Sequence, residues 1–293
     1  MHGFDWVFLA LLSAFMLATS DALTKKALSR ENEYLVAWFR LLFSLPPLIV
    51  ALLIEPAPQI GEGFWTAFLI ALPVELGTIV LYVRALKVSP LSLSLPFLAL
   101  TPVFLISVSY FVLGEEVSAR GAAGILLIAA GGYTLNLSGL RDGLLAPVRA
   151  VFREEGSVLM ICVAFLYSIT SSMGKKAIGD SSPVFFGATY FIALAVCFTP
   201  LAFMRGGADL RAFLKSGGCR RTVLPGLCYG IMVLSHMAAM NRTQVAYMVS
   251  VKRTSLLMGV LYGYVLFREG DISRRLAGAL LMFCGFVLVV TAG

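Results

Sequence analysis

Two adjacent cations stand inside an apolar stretch of the sequence. Lys252 and Arg253 lie near the middle of a run of apolar residues from 244 to 266. If this run crosses a membrane, each charge costs about 2.5–3.5 kcal/mol on insertion scales, so the pair needs a compensating partner. One interpretation is that they bind an anionic group, with Arg253 supplying a planar fork and Lys252 a compact charge. The alternative is that they pair with buried Glu75 or Asp21 and only hold helices together.

Glu75 is a carboxylate inside another apolar run. Tyr82 follows at the i+7 position and shares its helical face, so we expect both side chains to contact a ligand. A buried carboxylate is also a candidate for carrying a proton. The alternative is a salt bridge from Glu75 to one of the buried cations, Arg40, Lys252 or Arg253.

Two further charges fall within apolar runs near the N-terminus. Arg40 lies six residues into the run 34–54, where it could contact the ligand or pair with a carboxylate. Asp21 lies near the end of the first run and is a second candidate for carrying a proton. Its i+4 spacing to Lys25 favours a local pair between these two side chains.

The remaining candidate residues are an imidazole, a phenol and two prolines. His236 is the one histidine inside an apolar run, and Tyr247 precedes Lys252 by five residues. We expect both to contact the ligand, although a lone histidine more often packs and hydrogen-bonds. Pro73 and Pro225 interrupt helical hydrogen bonding and are predicted hinges. No catalytic residue, metal ligand or cofactor is predicted, because no nucleotide-binding or metal-binding motif is present.

The composition indicates the elements that must position these residues. Of 293 residues, 59% are hydrophobic and 13% are charged, with a mean hydropathy of +0.90. A soluble domain carries about 25% charged residues, so the composition argues against a soluble enzyme. Runs long enough to cross a bilayer should be helices. We predict an all-α integral membrane protein with ten helices at about 5–25, 34–54, 63–86, 90–113, 119–138, 157–174, 183–204, 222–240, 244–266 and 273–291.

The two halves of the chain resemble each other. Lys25-Lys26 recurs 150 residues later as Lys175-Lys176, Leu72-Pro73 recurs after 152 residues, and Glu115 recurs after 154 as Glu269. The matches occur in the same order in both halves, and the distance between matched residues changes only from 150 to 154. They therefore indicate an internal duplication. We predict a first repeat at 1–139, a linker at 140–156 and a second repeat at 157–293. Because each repeat has five helices, the copies are predicted to be inverted, as in alternating-access transporters.

The distribution of Lys and Arg predicts the orientation. We call the side of both termini side A and the opposite side of the membrane side B. Sixteen of the 23 Lys and Arg residues fall in predicted side B loops and four in side A loops, and three lie inside runs. The positive-inside rule therefore places side B in the cytoplasm and both termini outside.

The sequence resembles the drug/metabolite transporter superfamily, and in particular its ten-helix EamA members. The most specific segments run from Pro102-Val103-Phe104 through Gly114-Glu115 to Gly124, and from Arg253 through Phe267-Arg268-Glu269 to Gly278. The resemblance covers essentially the whole chain and implies transport of a small metabolite held between the halves. Many members are drawn with both termini in the cytoplasm, so the charge distribution here departs from the family habit.

The resemblance also bears on the cation pair. The phosphate translocators of the superfamily carry a similar Lys-Arg pair in the penultimate helix, together with a Lys in the first repeat. The equivalent positions here are Leu98 and Ala99. That departure weakens the phosphate interpretation and leaves a general anion site at Lys252 and Arg253.

These observations together predict a secondary transporter in the plasma (inner) membrane. Its substrate would be a small metabolite with an anionic group, an amino acid, organic acid or phosphorylated compound, exported or exchanged by alternating access. The expected partners are the substrate, the lipid bilayer and protons as a candidate coupling ion, with no nucleic acid, in a monomer or homodimer. The alternatives are a membrane-embedded enzyme acting on lipid head groups and a purely structural subunit. Buried charges without a ligand would be an unexplained cost in a structural subunit.

Overall fold

A computed structural model describes residues 5–90, 94–134, 154–267 and 272–292 of the chain. The described residues form helices and contain no strand. Seven of the helices are long and apolar enough to cross a membrane, and Gly278–Val290 is a shorter apolar helix. The chain is therefore an all-helical, multi-pass membrane protein. Most of the predicted linker and Glu269 lie outside the described residues.

The first half contains five long helical stretches, and the fourth is interrupted. It begins as a 3-10 helix at Leu95–Leu100 and continues as an α-helix from Thr101. The α-helices of this half are α1 Asp5–Leu28, α2 Glu33–Ile54, α3 Gly63–Val88, α4 Thr101–Leu113 and α5 Ala119–Thr134.

The second half repeats this order, with a short extra helix, Leu210–Lys215, after its second long one. The predicted helix at 244–266 is interrupted at Arg253 and Thr254, which separate α9 from α10. The helices of this half are α6 Glu155–Gly179, α7 Pro183–Gly206, α8 Gly218–Met240, α9 Val245–Lys252, α10 Ser255–Phe267 and α11 Ile272–Val290.

Local sequence signals account for several helix ends. The Asn32 side chain accepts a hydrogen bond from the backbone N–H of Tyr34 and begins α2. Ser182 does the same for Phe185 at the start of α7, where Pro183 occupies the first helical position. Gly114 ends α4 in the left-handed conformation with φ 69°, which glycine adopts without a steric penalty.

Polar contacts join helix ends of the first half to those of the second half on each side of the bundle. On side A, Lys175 pairs with Glu115 at 2.6 Å, and the Gly61 amide bonds the Asp180 carbonyl at 2.7 Å. On side B, the Glu154 carboxylate caps α6 and accepts a 2.8 Å hydrogen bond from Ser89. Burial raises the pKa of Glu154, but these hydrogen bonds outweigh it and hold the pKa below its usual value. Both ends of the bundle therefore join the first half to the second.

Glycines allow pairs of helices to approach closely. A Cβ on Gly131 of α5 would lie 2.6 Å from the Gly278 carbonyl of α11, and one on Gly285 would lie 2.6 Å from the Gly124 carbonyl. Gly124 and Gly131 are seven residues apart in α5, and Gly278 and Gly285 repeat this spacing in α11, 154 residues later. These glycines therefore allow α5 and α11 of the same chain to pack with their backbones in contact.

We expect Gly131→Val to destabilise the protein, because the new side chain would strike the α11 backbone, which cannot move aside cheaply. Overpacking of this kind costs about 1–3 kcal/mol. The matched control is Gly77→Val in α3, since a Cβ there meets nothing within 4 Å. Thermal unfolding in detergent should show a clearly lower Tm for Gly131→Val only. Equal melting temperatures for the two variants would contradict the close contact.

Candidate functional site

A cavity lies between the two halves, at the level where α9 ends. It encloses about 780 Å³ of space not occupied by atoms, including its opening. Its wall is built from residues of α1, α2, α3, α6, α7, α8 and α9, together with Leu98 and Arg253. Six residues predicted from the sequence line it: Arg40, Glu75, Tyr82, His236, Lys252 and Arg253.

The two cations of the second half reach this cavity without a carboxylate partner. The Lys252 Nζ atom lies 3.4 Å from Nδ1 of His236, and the Arg253 guanidinium donates a 2.8 Å hydrogen bond to the Thr101 hydroxyl. Arg253 is 4% exposed and its Nε atom has no hydrogen-bond partner. In the described part of the chain, no carboxylate oxygen lies within 4.0 Å of either cation. The alternative in which they pair with Glu75 or Asp21 is therefore not the observed arrangement.

The helix interruption explains how both cations reach the cavity. Backbone amides of Arg253, Thr254 and Leu256 bond carbonyls three residues earlier, which tightens the chain between α9 and α10. The 3-10 segment before Thr101 occupies the corresponding place in the first half, because Thr101 and Ser255 are 154 residues apart. The Arg253–Thr101 hydrogen bond thus joins the two interruptions. Discontinuous helices of this kind form substrate sites in many transporters.

Arg40 belongs to a different, internally neutralised cluster. Its guanidinium donates to Asp21 at 3.0 Å and lies 4.1 Å from the centroid of the Tyr229 ring, a cation–π contact. The Tyr82 hydroxyl donates to the second oxygen of Asp21 at 2.5 Å. Asp21 therefore pairs across helices, whereas Lys25 donates to backbone carbonyls of α3 and its end. The sequence favoured a local Asp21–Lys25 pair. In the structure, the carboxylate of Asp21 instead binds Arg40 and Tyr82.

Glu75 is the carboxylate that the cavity leaves without a counter-charge. It is 7% exposed and shares the cavity wall with Thr170. Among the described residues, no Lys, Arg or His nitrogen lies within 4.0 Å of it. The buried Tyr190 hydroxyl, also on the cavity wall, has no hydrogen-bond partner among the residues that the structure describes. The salt bridge considered from the sequence is not formed here.

Tyr247 lies away from the cavity wall. Its hydroxyl accepts a 3.1 Å hydrogen bond from the Ser118 amide and lies 3.0 Å from the Ser118 hydroxyl, while its ring packs against Gly121. It therefore joins α9 to the start of α5 near side A. The predicted hinge residues lie inside α3 and α8, and Ser20 of α1 donates to the Pro225 carbonyl at 2.8 Å.

The sequence interpretation did not select the wall residues Tyr167 and Tyr229, nor Thr101, which accepts the hydrogen bond from Arg253. Tyr167 and Tyr229 were not separable from other aromatic residues by sequence alone. Thr101 could have been found, because it corresponds to Ser255 at the helix interruption across the repeat. In the described residues, no three His, Cys, Asp or Glu side chains are grouped as metal ligands would be.

Comparison with known proteins places the chain among membrane transporters. A family model described as "EamA-like transporter family" matches residues 5–137 and again residues 155–291. A solved structure titled "Crystal structure of protein" superposes with a TM-score of 0.70 over 97% of this chain and 96% of its own, at 15% identity. That likeness concerns the fold alone. No curated protein sequence matches the chain significantly.

Proposed function

Because the chain belongs to the EamA-like transporter family, whose model matches both halves, we propose that it carries a small metabolite with an anionic group across the plasma (inner) membrane. Members of this family are membrane transporters of small molecules. The observation that carries the anionic part of the proposal is the half-buried Lys252 beside the buried Arg253. Both line the cavity, and no carboxylate of the described residues lies within 4.0 Å of either. A carboxylate or phosphate is the ligand that such donors prefer.

The architecture proposed for this activity is ten membrane-spanning helices in two inverted repeats. The matched positions of the two helix interruptions and the reciprocal contacts of α5 and α11 through their glycines support it. Each repeat would contribute one interruption to the site. Rocking of the repeats about the regions of Pro73 and Pro225 would then expose the cavity to one side of the membrane at a time.

The coupling ion proposed is the proton. Glu75 is the preferred carrier, because no cation of the described residues lies within 4.0 Å of its carboxylate, whereas Asp21 already binds Arg40 and Tyr82. Protonation of Glu75 would remove the one unbalanced carboxylate from the cavity. Transport by exchange or export remains part of the same proposal, since both use one alternately exposed site.

We also propose that both termini lie outside and that the monomer is the transporting unit. The excess of Lys and Arg in side B loops supports the orientation. The glycine faces of α5, α8 and α11 pack within the chain, which supports a complete site in one monomer over a homodimer joined through them. The lipid bilayer is the environment and no nucleic-acid partner is proposed. No described group favours the lipid head-group enzyme considered from the sequence.

The experiment that tests this function is a ligand panel on the purified protein. Amino acids, carboxylates, phosphorylated metabolites, nucleosides and cationic drugs would be screened by thermal shift in detergent. A ligand present at 100 times its Kd adds about 2.7 kcal/mol to folded-state stability. We expect stabilisation by ligands with an anionic group, and uptake or efflux of the same ligands in proteoliposomes. Stabilisation by cationic drugs alone would overturn the anionic assignment.

A further inference from the structure

A cationic segment runs from the end of α7 to the start of α8 on side B. Residues 205–221 contain five Lys and Arg residues and one acidic residue, Asp209. The corresponding loop of the first half, residues 55–62, lies on side A and contains two Glu and no Lys or Arg. The positive-inside rule accounts for the sign of this difference. It does not account for the short helix Leu210–Lys215, which holds part of the segment in one place.

Contacts with the first half fix this short helix to the bundle. Phe213 is 1% exposed, and its ring stacks on that of Phe39 in α2, with the two centroids 4.9 Å apart. After the helix, the Arg221 guanidinium donates to the Glu31 carboxylate at 2.7 Å, which joins the start of α8 to the loop before α2. Arg221 therefore has its counter-charge within the chain, and the segment is positioned before any ligand arrives.

The other four cations of the segment have no counter-charge of this kind. Their side chains are exposed: Arg205, Arg211, Lys215 and Arg220. Within the part of the chain that the structure describes, these side chains make no ion pair at 4.0 Å or less and no hydrogen bond. Like charges held on one short element repel each other, and an anionic surface relieves this repulsion.

Exposed apolar side chains accompany these cations and indicate the edge of the lipid. Phe203 and Met204, at the end of α7, are 49% and 81% exposed. Leu214 is 51% exposed and follows Arg211 by three residues, and Lys215 follows Arg211 by four, so the three share one face of the short helix. A face of this composition suits the boundary between acyl chains and head groups, where the apolar side chain is buried and the cations stay at the level of the head groups.

We propose that this segment forms a binding surface for anionic phospholipids, with Arg211, Lys215 and Arg220 as its principal contacts. A head group with a net negative charge supplies the partner that these cations lack, and an Arg can bind two oxygens of its phosphate at once. Leu214 then lies among the acyl chains, so the surface recognises an intact lipid and not the water-soluble head group alone. The inference is independent of the transported substrate, because none of these side chains lines the cavity between the halves.

The test compares lipids that share their acyl chains and differ in the charge of the head group. Dioleoyl phosphatidylglycerol and dioleoyl phosphatidylcholine would be titrated onto the delipidated full-length protein in a neutral detergent, and bound lipid counted by native mass spectrometry. Each cation near an anionic head group changes binding about 5-fold, so phosphatidylglycerol should bind about 10-fold or more tightly than phosphatidylcholine. The water-soluble glycerophosphoglycerol should bind about 10-fold or more weakly than phosphatidylglycerol, because it has no acyl chains.

Removing the three principal cations should remove the preference for the anionic lipid. The variant replaces all three by glutamine: Arg211→Gln/Lys215→Gln/Arg220→Gln. Phosphatidylglycerol should then bind no more than about 2-fold more tightly than phosphatidylcholine. The matched control makes the same substitution at three exposed cations on side A and should keep the preference of the unmodified protein: Arg120→Gln/Lys176→Gln/Arg242→Gln.

The outcomes distinguish a lipid surface on this segment from its alternatives. Equal binding of the two lipids by the unmodified protein would overturn the proposal, and so would an equal loss of preference in the side A control. Binding of glycerophosphoglycerol as tight as that of the lipid would also overturn it, in favour of a site for a free anion. If the triple variant does not fold, Arg211→Gln and Lys215→Gln decide singly: each should weaken phosphatidylglycerol binding about 5-fold, and no change in either contradicts the proposal.

Discussion

Replacing Asp21 by alanine should lower the free energy of unfolding by about 3–5 kcal/mol, the usual effect of removing one partner from a buried ion pair. The Arg40 guanidinium would remain buried, at 4% exposure, without the carboxylate that neutralises it. The Tyr82 hydroxyl would lose its acceptor at the same time. Thermal or denaturant unfolding in detergent would measure this loss against the unmodified protein.

The control for this prediction is an exposed pair of the same chemistry. Arg84 and Glu155 are joined at 3.0 Å, but their side chains are 49% and 57% exposed. Glu155→Ala should therefore cost less than about 1 kcal/mol. The double replacement Asp21→Leu/Arg40→Leu should recover much of the lost stability, because it leaves no buried charge behind. A cost for Asp21→Ala as small as that for Glu155→Ala would show that Arg40 finds water or another partner.

The Asp21 cluster also shows what could not be predicted from the sequence. The i+4 spacing of Asp21 and Lys25 correctly indicates that the two side chains could pair within α1. The sequence does not show which side chains of other helices come close enough to Asp21 to pair with it instead. The observed cluster joins α1, α2 and α3, so its formation depends on the rotation of three helices about their axes. The sequence identified Asp21, Arg40 and Tyr82 as candidate polar residues inside apolar runs, but it did not identify which of them pair with each other.

The helices were easier to predict because their signal is local. Apolar runs of about 20 residues must form helices in lipid, since no water is available to the backbone, and the described residues agree. Glycines at matched positions of α5 and α11 likewise form a local pattern, and they allow the close packing that these two helices display. The interruption before Thr101 is accompanied by Pro96 and Pro102, whereas the one at Arg253 has no proline and was not predicted.

Candidate site residues were found through a different signal, the cost of a charge in lipid. That cost marks a residue as needing an explanation without saying whether the explanation is a ligand or another side chain. Arg40 and Lys252 were equivalent by this test. The structure distinguishes them, because Arg40 has a carboxylate at 3.0 Å, whereas Lys252 contacts, within the described part of the chain, only the His236 imidazole, at 3.4 Å. Tertiary contacts were therefore needed to divide the buried charges into paired and unpaired ones.

Lys252→Gln and Arg253→Gln should each reduce transport by about 10- to 100-fold, the loss expected when a charge-assisted hydrogen bond to an anionic ligand is removed. Arg253→Lys should not restore transport, because the guanidinium that donates to Thr101 can present further donors to a ligand and an ammonium cannot match that geometry. The measurement is initial uptake into proteoliposomes, normalised to the amount of inserted protein. Lys176→Gln and Arg242→Gln are the matched controls, since both side chains are exposed.

Stability separates a binding role from a structural one for the same variants. A residue that holds helices together is destabilising when removed, as expected for Asp21. A half-buried cation with no carboxylate within 4.0 Å among the described residues instead burdens the empty protein, so Lys252→Gln should leave the Tm of the ligand-free protein unchanged or raise it, while transport falls. A fall in the Tm as large as that for Asp21→Ala would mean that Lys252 stabilises the bundle, and it would contradict the anion site. Opposite effects on stability and transport are expected only if the ligand itself supplies the counter-charge.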